Sequence, residues 1–385
     1  MSSAKIKIGI MTILKVNNYG AELQAFALPK VLNDLGYEAE NIDYLYYKHR
    51  DYIPVSQSKP MVKISLKDKV KRHMLILMEI TSSLMHTKSV NTKQSKFDEF
   101  HRKYTFLSEK TYRSMDELYS DELKYDLFIV GSDQVWNPAT LSSLKPYFLT
   151  FAPSDKKKIS YASSFGVYDI NEESRAVYKE CINNLDHIST RENQGVDIVK
   201  RLTGRTAIQV VDPTLLIPKN EWEEMAVFPA EKEPYILLYI LTHSPYIVKL
   251  AQQISKITGY QVIRVSRDPG FFNCDLKIKN IIDAGPEEFL GWFSKASFVL
   301  TNSFHGTSFS VMFQKPFFTI APKTKSNNSR QQSFLELLEL DSRLIKEGAP
   351  FPGIDQLKID YEEGNSILKK ERKRSLDFLR SSITD

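Results

Sequence analysis

Residues 296–320 read ASFVLTNSFHGTSFSVMFQKPFFTI. Phe298-Val299-Leu300 is a short apolar run of the kind that forms a buried strand. It breaks at Thr301-Asn302-Ser303-Phe304, and His305-Gly306-Thr307 opens a second apolar segment, Phe309–Phe313, with helical spacing. Lys315-Pro316 ends that segment, and Phe317–Ile320 reads as the next strand. The order is therefore strand, polar turn, helix, strand. The turn puts a histidine, hydroxyls and a glycine where a strand ends and a helix begins. Unsatisfied N–H groups and the positive end of the helix dipole favour an anionic group at such a place. Open α/β sheets bind their ligands there.

Working outward, the same unit recurs. Lys7–Ile13 is a strand candidate, followed by the polar turn Lys15–Gly20 and a helix from Glu22 to Leu35 closed by Gly36. Pro29 inside that helix predicts a kink or a local break. Tyr37–Tyr44, Tyr125–Val130, Lys158–Ala162, Asp186–Thr190 and Gln209–Val211 are further strands. Polar residues follow several of them: Gly131-Ser132-Asp133-Gln134, Ser163-Ser164-Phe165-Gly166, Arg191-Glu192-Asn193 and Asp212-Pro213. Repeated delivery of polar side chains at strand ends builds one rim of a parallel sheet. Asp212 by itself reads as a turn residue before a proline, and Trp136 as a packing residue.

Prolines 218, 229 and 234 mark a boundary, after which Tyr235–Leu241 starts a second set of elements. A helix over Tyr246–Thr258, a strand over Tyr260–Val265, a helix opening at Pro286 and a helix over Ser333–Leu340 follow. Tyr361–Arg380 carries a helical apolar stripe. The pattern predicts an α/β protein of two Rossmann-like domains facing across a cleft. The N-terminal domain spans 1–217, with a helical insertion at about 46–110. The C-terminal domain spans 218–345, and a helical tail, 346–385, is placed against the N-terminal domain. Lys59–Arg72 is rich in lysine and precedes the apolar run Met74–Ile80. Such a segment either lies on an anionic membrane surface or forms an inserted hairpin with a wet face.

The 385 residues are 42% hydrophobic and include 22 Phe and 19 Tyr, enough for a sizeable core with aromatics left to line a sugar or ligand cleft. A net charge of +5 is too small to argue for a nucleic-acid partner. Cys181 and Cys274 form no disulfide or metal motif, and the seven histidines show no ligand spacing, so no metal is expected. The N-terminus lacks the features of a signal peptide, and no apolar run reaches membrane-spanning length. A cytoplasmic location follows as the expectation, with the membrane's inner face as a variant if the basic segment is interfacial.

Six blocks then fall into a known order: NNYGAELQAFAL at 17–28, DLFIVGSDQVWNP at 126–138, ISYASSFG at 159–166, STREN at 189–193, VVDPTLL at 210–216 and LTNSFHGTSFSVMFQKPF at 300–317. Together they resemble the polysaccharide pyruvyl transferase family over most of residues 5–340. The resemblance implies a fold like that of the GT-B glycosyltransferases. It also implies transfer of a pyruvyl group from phosphoenolpyruvate, a co-substrate and not a cofactor, onto a sugar of a cell-surface glycan or its lipid-linked precursor. The product would be a pyruvate ketal. Where the family often has Arg-Leu-His, this chain has Ser303-Phe304-His305, so Arg330 or Arg191 is expected to stand in for the arginine.

On this reading His305, Asp133 and Arg191 are the catalytic candidates, with His305 moving a proton or stabilising phosphate. Ser303, Gly306, Thr307, Arg330 and Asn302 are expected to bind the donor. Asn17, Asn18, Tyr19, Gly20, Glu22 and Gln134 are expected to line the acceptor side. A nucleotide-sugar glycosyltransferase on the same plan and a non-catalytic glycan-binding protein are the alternatives. The acceptor sugar and the oligomeric state are not legible in the sequence.

Overall fold

The structure is a computed structural model that describes residues 5–54, 87–139, 144–266, 277–322 and 329–385. The basic stretch Lys59–Ile80 and Cys274 lie outside these residues. The first domain contains β1 (Lys7–Met11), α1 (Tyr19–Asp34), β2 (Glu38–Tyr44), α2 (Thr87–Tyr104), β3 (Leu107–Tyr112), α3 (Met115–Tyr119), β4 (Leu127–Gly131), β5 (Lys157–Ser163), α4 (Glu172–Asn183), β6 (His187–Thr190), α5 (Asn193–Thr203) and β7 (Ile208–Gln209). Helix α6 (Lys219–Met225) leads to the second domain. That domain contains β8 (Tyr235–Tyr239), α7 (Pro245–Thr258), β9 (Gln261–Val265), β10 (Lys279–Ile281), α8 (Pro286–Lys295), β11 (Phe298–Thr301), α9 (Phe304–Met312), β12 (Phe317–Ala321), α10 (Ser329–Leu337) and β13 (Leu344–Lys346). Helix α11 (Glu362–Thr384) ends the chain.

Both sheets are parallel. Their orders are β3-β2-β1-β4-β5-β6-β7 and β10-β9-β8-β11-β12-β13. Each order reverses once, between β1 and β4 and between β8 and β11. A crevice opens at the carboxyl ends of the strands where the order reverses. The central strands LFIVG, YILLY, FVLT and FFTIA are buried at every position, as strands covered by helices on both faces must be.

Three details depart from the sequence reading. Helix α1 runs unbroken through Pro29. The proline leaves the Ala25 carbonyl without its helical donor, and Asn41 Nδ2 on β2 donates to that carbonyl at 2.8 Å. Residues 107–110, assigned to the insertion, belong to edge strand β3. Two short strands, β10 and β13, lie in stretches to which the sequence reading gave no strand, because three residues carry too little pattern to announce one.

The domains are joined at several places. Trp222 of α6 packs against Phe26 in one domain and Phe309 in the other. Tyr19 stacks on Phe289 at 4.6 Å, and its hydroxyl donates to the Ala284 carbonyl at 2.9 Å. Ser333 on α10 accepts from the Asn193 N–H and Gln209 Nε2. Helix α11 returns to the first domain: Ser375 Oγ accepts from the Val211 N–H at 3.1 Å, and Arg374 donates to the Gln209 carbonyl at 2.6 Å.

Candidate active site

The carboxyl ends of β4 and β6 and the segment after β7 bring Ser132, Asp133, Arg191 and Asp212 together. The Arg191 guanidinium is 2% exposed and is held by Asp212 at 2.8 Å and Asp133 at 3.3 Å. Asp212 is 1% exposed and uses both oxygens. Oδ1 accepts from the Thr214 N–H and hydroxyl, which is the turn role read from the sequence. Oδ2 accepts from Arg191 and from Ser132 Oγ at 2.7 Å, and lies 3.6 Å from His305 Nε2. Burial would raise the Asp212 carboxyl, but His305 and Arg191 outweigh it and hold the group far below the ordinary carboxylate range. Asp133 is lowered too: burial opposes, and Arg191, His305 and Arg330 prevail. Asp133 also sits at φ 65°, a strained conformation for a residue with a side chain.

The second domain contributes His305 from the first turn of α9 and Arg330 from the start of α10. Phe304 places its ring 4.2 Å from the Arg191 guanidinium carbon, a cation–π contact across the domain boundary. Gly20 of α1 approaches so closely that a Cβ there would lie 2.1 Å from His305 Nδ1. Arg330 is half-buried. Its guanidinium is pushed down to about 10 by burial and the charge of Arg191, against the pull of Asp133, Glu192 and Asp212. Glu192 is fully buried, and burial raises its carboxyl despite Arg191 and Arg330. One of its oxygens accepts from Ser164 Oγ and the Phe165 N–H, pinning the turn after β5.

Four buried polar atoms in this group have no hydrogen-bond partner: Arg191 Nε, Arg330 Nε, His305 Nε2 and Glu192 Oε2. Buried donors in a native protein are nearly always paired, so this cluster of unpaired guanidinium and imidazole nitrogens makes the group a candidate binding site.

Several expected donor residues are committed elsewhere. Ser303 caps α9 by accepting from the Gly306 N–H at 3.3 Å, which commits that N–H and leaves the Ser303 hydroxyl proton able to donate. Thr307 Oγ1 is hydrogen-bonded within the domain to the Ser303 carbonyl and Thr319. Asn302 accepts from the Leu241 N–H and donates to the Thr242 carbonyl, tying down the turn after β8. The Gly306 N–H, the Thr307 hydroxyl and the Asn302 amide therefore spend hydrogen bonds within their own domain, as the start of a helix must satisfy its own donors.

The expected acceptor residues divide similarly. Asn18 caps α1, and exposed Asn17 donates to Gln94 on α2. Tyr19 is buried between the domains, and Gly20 lies against His305. Glu22 is 1% exposed, accepts from the Val16 N–H, and faces His101 Nε2 at 3.2 Å. Burial pushes its carboxyl up to about 8 and His101 down to about 4, so a neutral acid meets a neutral imidazole inside the domain. Half-buried Gln134 pairs with Asn137. Asp212 and Glu192 are the site residues that the sequence reading missed. Their signal was position, each standing immediately after a strand or in the turn that follows it.

The sequence profile of the family described as polysaccharide pyruvyl transferase matches residues 18–324. No curated protein matches the chain. Among solved structures, one from Listeria monocytogenes assigned as a UDP-N-acetylglucosamine 2-epimerase is similar at TM-score 0.50 and 10% identity, covering 99% of this chain and 97% of that one. A glycosyltransferase from Rickettsia africae gives TM-score 0.46 at 14% identity, covering 98% and 97%. The likeness to the Listeria structure concerns the fold alone, and the fold is of the GT-B type with two parallel-sheet domains. With the profile spanning both domains and all six sequence blocks, the chain belongs to the polysaccharide pyruvyl transferase family.

Proposed function

We propose that this transferase moves a pyruvyl group from phosphoenolpyruvate to a sugar of a cell-surface glycan or its lipid-linked precursor. The observation that carries the reading is the set of unpaired buried nitrogens on Arg191, Arg330 and His305. Phosphoenolpyruvate is a small trianion with a carboxylate and a phosphate, and planar guanidinium groups bind both. Arg330 takes the place of the arginine missing at Ser303. It reaches the site from α10 instead of from the turn before α9.

The reaction requires a proton on the methylene carbon of phosphoenolpyruvate, which makes C2 electrophilic. A sugar hydroxyl then adds to C2 and releases its own proton. The C2–O bond to phosphate breaks, and a second hydroxyl closes the ketal, releasing another proton. His305 supports the first step as proton donor, with Asp212 facing Nε2 to orient the ring. Asp133 is an ionised carboxylate at the rim and accepts a hydrogen bond or proton from the attacking hydroxyl. Arg191 and Arg330 stabilise the departing phosphate.

Titration of the protein with phosphoenolpyruvate and with nucleotide sugars, read by thermal shift, tests the donor. Stabilisation by phosphoenolpyruvate is expected. Stabilisation only by a nucleotide sugar overturns the proposal. Mass spectrometry of glycans incubated with phosphoenolpyruvate, scored for pyruvyl addition together with phosphate release, tests the reaction. The lysine-rich segment's proposed contact with an anionic membrane is checked by co-sedimentation with anionic liposomes after deletion of residues 59–80. Among the described residues no helix is long and apolar enough to cross a membrane.

A further inference from the structure

Ser303 holds the first turn of α9 as its cap, and that turn carries both Phe304 and His305. Phe304 is 2% exposed. Its ring centroid lies 4.2 Å from the Arg191 guanidinium carbon, 5.3 Å from the His305 ring at 81°, and 5.8 Å from the Phe334 ring at 61°. Phe334 stands one helical turn after Arg330 on α10. Its neighbour Ser333 accepts from the Asn193 N–H at 3.0 Å and from Gln209 Nε2 at 2.9 Å, which docks α10 on the first domain close to Arg191 in sequence. The ring is thus wedged between Arg191 of one domain and the helices that carry His305 and Arg330 in the other.

The Arg191 guanidinium is bounded in two ways. Carboxylates of its own domain hold it at the edge, Asp212 at Nη1 at 2.8 Å and Asp133 at Nη2 at 3.3 Å. A ring of the other domain covers one face. Edge bonds limit sliding within the plane but leave the plane able to tilt about them, and 3.3 Å is long for a charge-assisted bond. An aromatic face removes that tilt, because the cation is drawn to the negative face of the ring and a planar guanidinium stacks on it. The plane decides where Nε points, and Nε is the guanidinium nitrogen without a partner. A leucine at position 304 would fill apolar space and exert no such pull.

We propose that Phe304 is a positioning residue, whose ring sets the plane of the Arg191 guanidinium and so the direction in which Nε donates to the anionic substrate. Arg191 reaches its binding geometry only with the domains apposed, because the carboxylates and the ring come from opposite sides of the boundary. The inference rests on the transferase reading for the identity of that substrate. The stack itself is measured without any substrate.

NMR of the full chain labelled with nitrogen-15 arginine tests the stack. The Arg191 Nε–H resonance is the one absent from Arg191→Lys. It is expected to carry a ring-current shift in wild type and in Phe304→Tyr, and to lose it in Phe304→Leu. Calorimetric titration with phosphoenolpyruvate tests the consequence and needs no acceptor. Phe304→Leu is expected to raise the dissociation constant about tenfold, a loss of the size a desolvated cation–π contact supports. Phe304→Tyr, which keeps the ring, is expected to bind close to wild type. In the Arg191→Lys background Phe304→Leu should add little, since no guanidinium plane is left to set. Circular dichroism confirms folding, and Phe304→Met serves if Phe304→Leu fails to fold. An Arg191 resonance unmoved by Phe304→Leu overturns the positioning role. Equal weakening by Phe304→Leu and Phe304→Tyr, or full additivity with Arg191→Lys, also overturns it, since a merely structural residue gives those results. A ring-current shift that Phe304→Leu abolishes, in a protein with no phosphoenolpyruvate response, removes the pyruvyl reading and leaves the positioning role. Phosphoenolpyruvate binding indifferent to Phe304→Leu does the reverse.

Discussion

At the residue scale, Asp212 carries the most connections in the site. It caps its own turn, holds Arg191 and Ser132, and faces His305 across the domain boundary. Asp212→Asn removes one charge from a buried pair, and breaking such a pair costs about 3–5 kcal/mol. The expected result is lower stability in urea unfolding together with a loss of turnover of about 100- to 10,000-fold, the range for a disturbed proton donor. His305→Gln should lose turnover to a similar degree and also lower the melting temperature, because it removes the ring that faces Asp212 Oδ2 at 3.6 Å and helps hold that buried carboxyl ionised. Equal activity of His305→Gln and wild type would remove His305 from the chemistry.

Glu22 sets a second expectation at this scale, with the sign fixed by burial. Its carboxyl is raised from 4.5 to about 8, so the folded chain keeps a proton that the unfolded chain releases. Glu22 alone makes stability fall as pH rises from about 4.5 through about 8, but His101, lowered from 6.5 to about 4, acts oppositely below about 6.5, so the net fall is expected between about pH 6.5 and 8. Glu22→Gln should flatten this part of a urea-denaturation series across pH. Asp133 and Asp212 act oppositely: their lowered carboxyls contribute stability above about pH 4 that is lost in acid.

At the scale of elements, the site depends on how closely α1 approaches α9. Gly20 lies in the first turn of α1 with no room for a side chain against the His305 ring. Gly20→Ala should push His305 away from Asp212. It should cost about 1–3 kcal/mol, as overpacking does, and lower turnover more than it lowers the melting temperature. The unbroken course of α1 through Pro29 makes a related point. Asn41→Ala would leave the Ala25 carbonyl without the donor it has from β2, at a cost of about 1–3 kcal/mol for a buried unsatisfied group. The change should be visible in thermal unfolding and should not alter the apparent affinity for phosphoenolpyruvate.

At the scale of the whole molecule, Arg191 and Asp212 come from one domain while His305 and Arg330 come from the other. Tyr19 sits between the domains, stacked on Phe289 and under the Lys93 ammonium at 4.7 Å. Tyr19→Ala should destabilise the interface by about 3–5 kcal/mol, in the range for a large aromatic removed from a core. Calorimetry should then resolve two transitions where wild type gives one, with a rise in the phosphoenolpyruvate dissociation constant.

Much of the molecule was legible from residue order alone. Apolar runs of strand length alternate with helical stripes, and that alternation determines two parallel sheets. Polar residues at the strand ends mark the rim, and His305, Asp133 and Arg191 were legible there because position relative to a strand is a local property. The short strands β10 and β13 and the course of α1 through Pro29 were not, since a distant partner stabilises each. The sequence by itself determined the fold class, the family and the first candidates. Only the tertiary structure decided that Asp212 and Glu192 stand among the candidate residues, that the Gly306 N–H, the Thr307 hydroxyl and the Asn302 amide are hydrogen-bonded within their own domain, and that Arg330 is half-buried. The physical reason is that hydrogen-bond partnership and burial depend on which chain segments meet in space, and a linear pattern records only which segments can form.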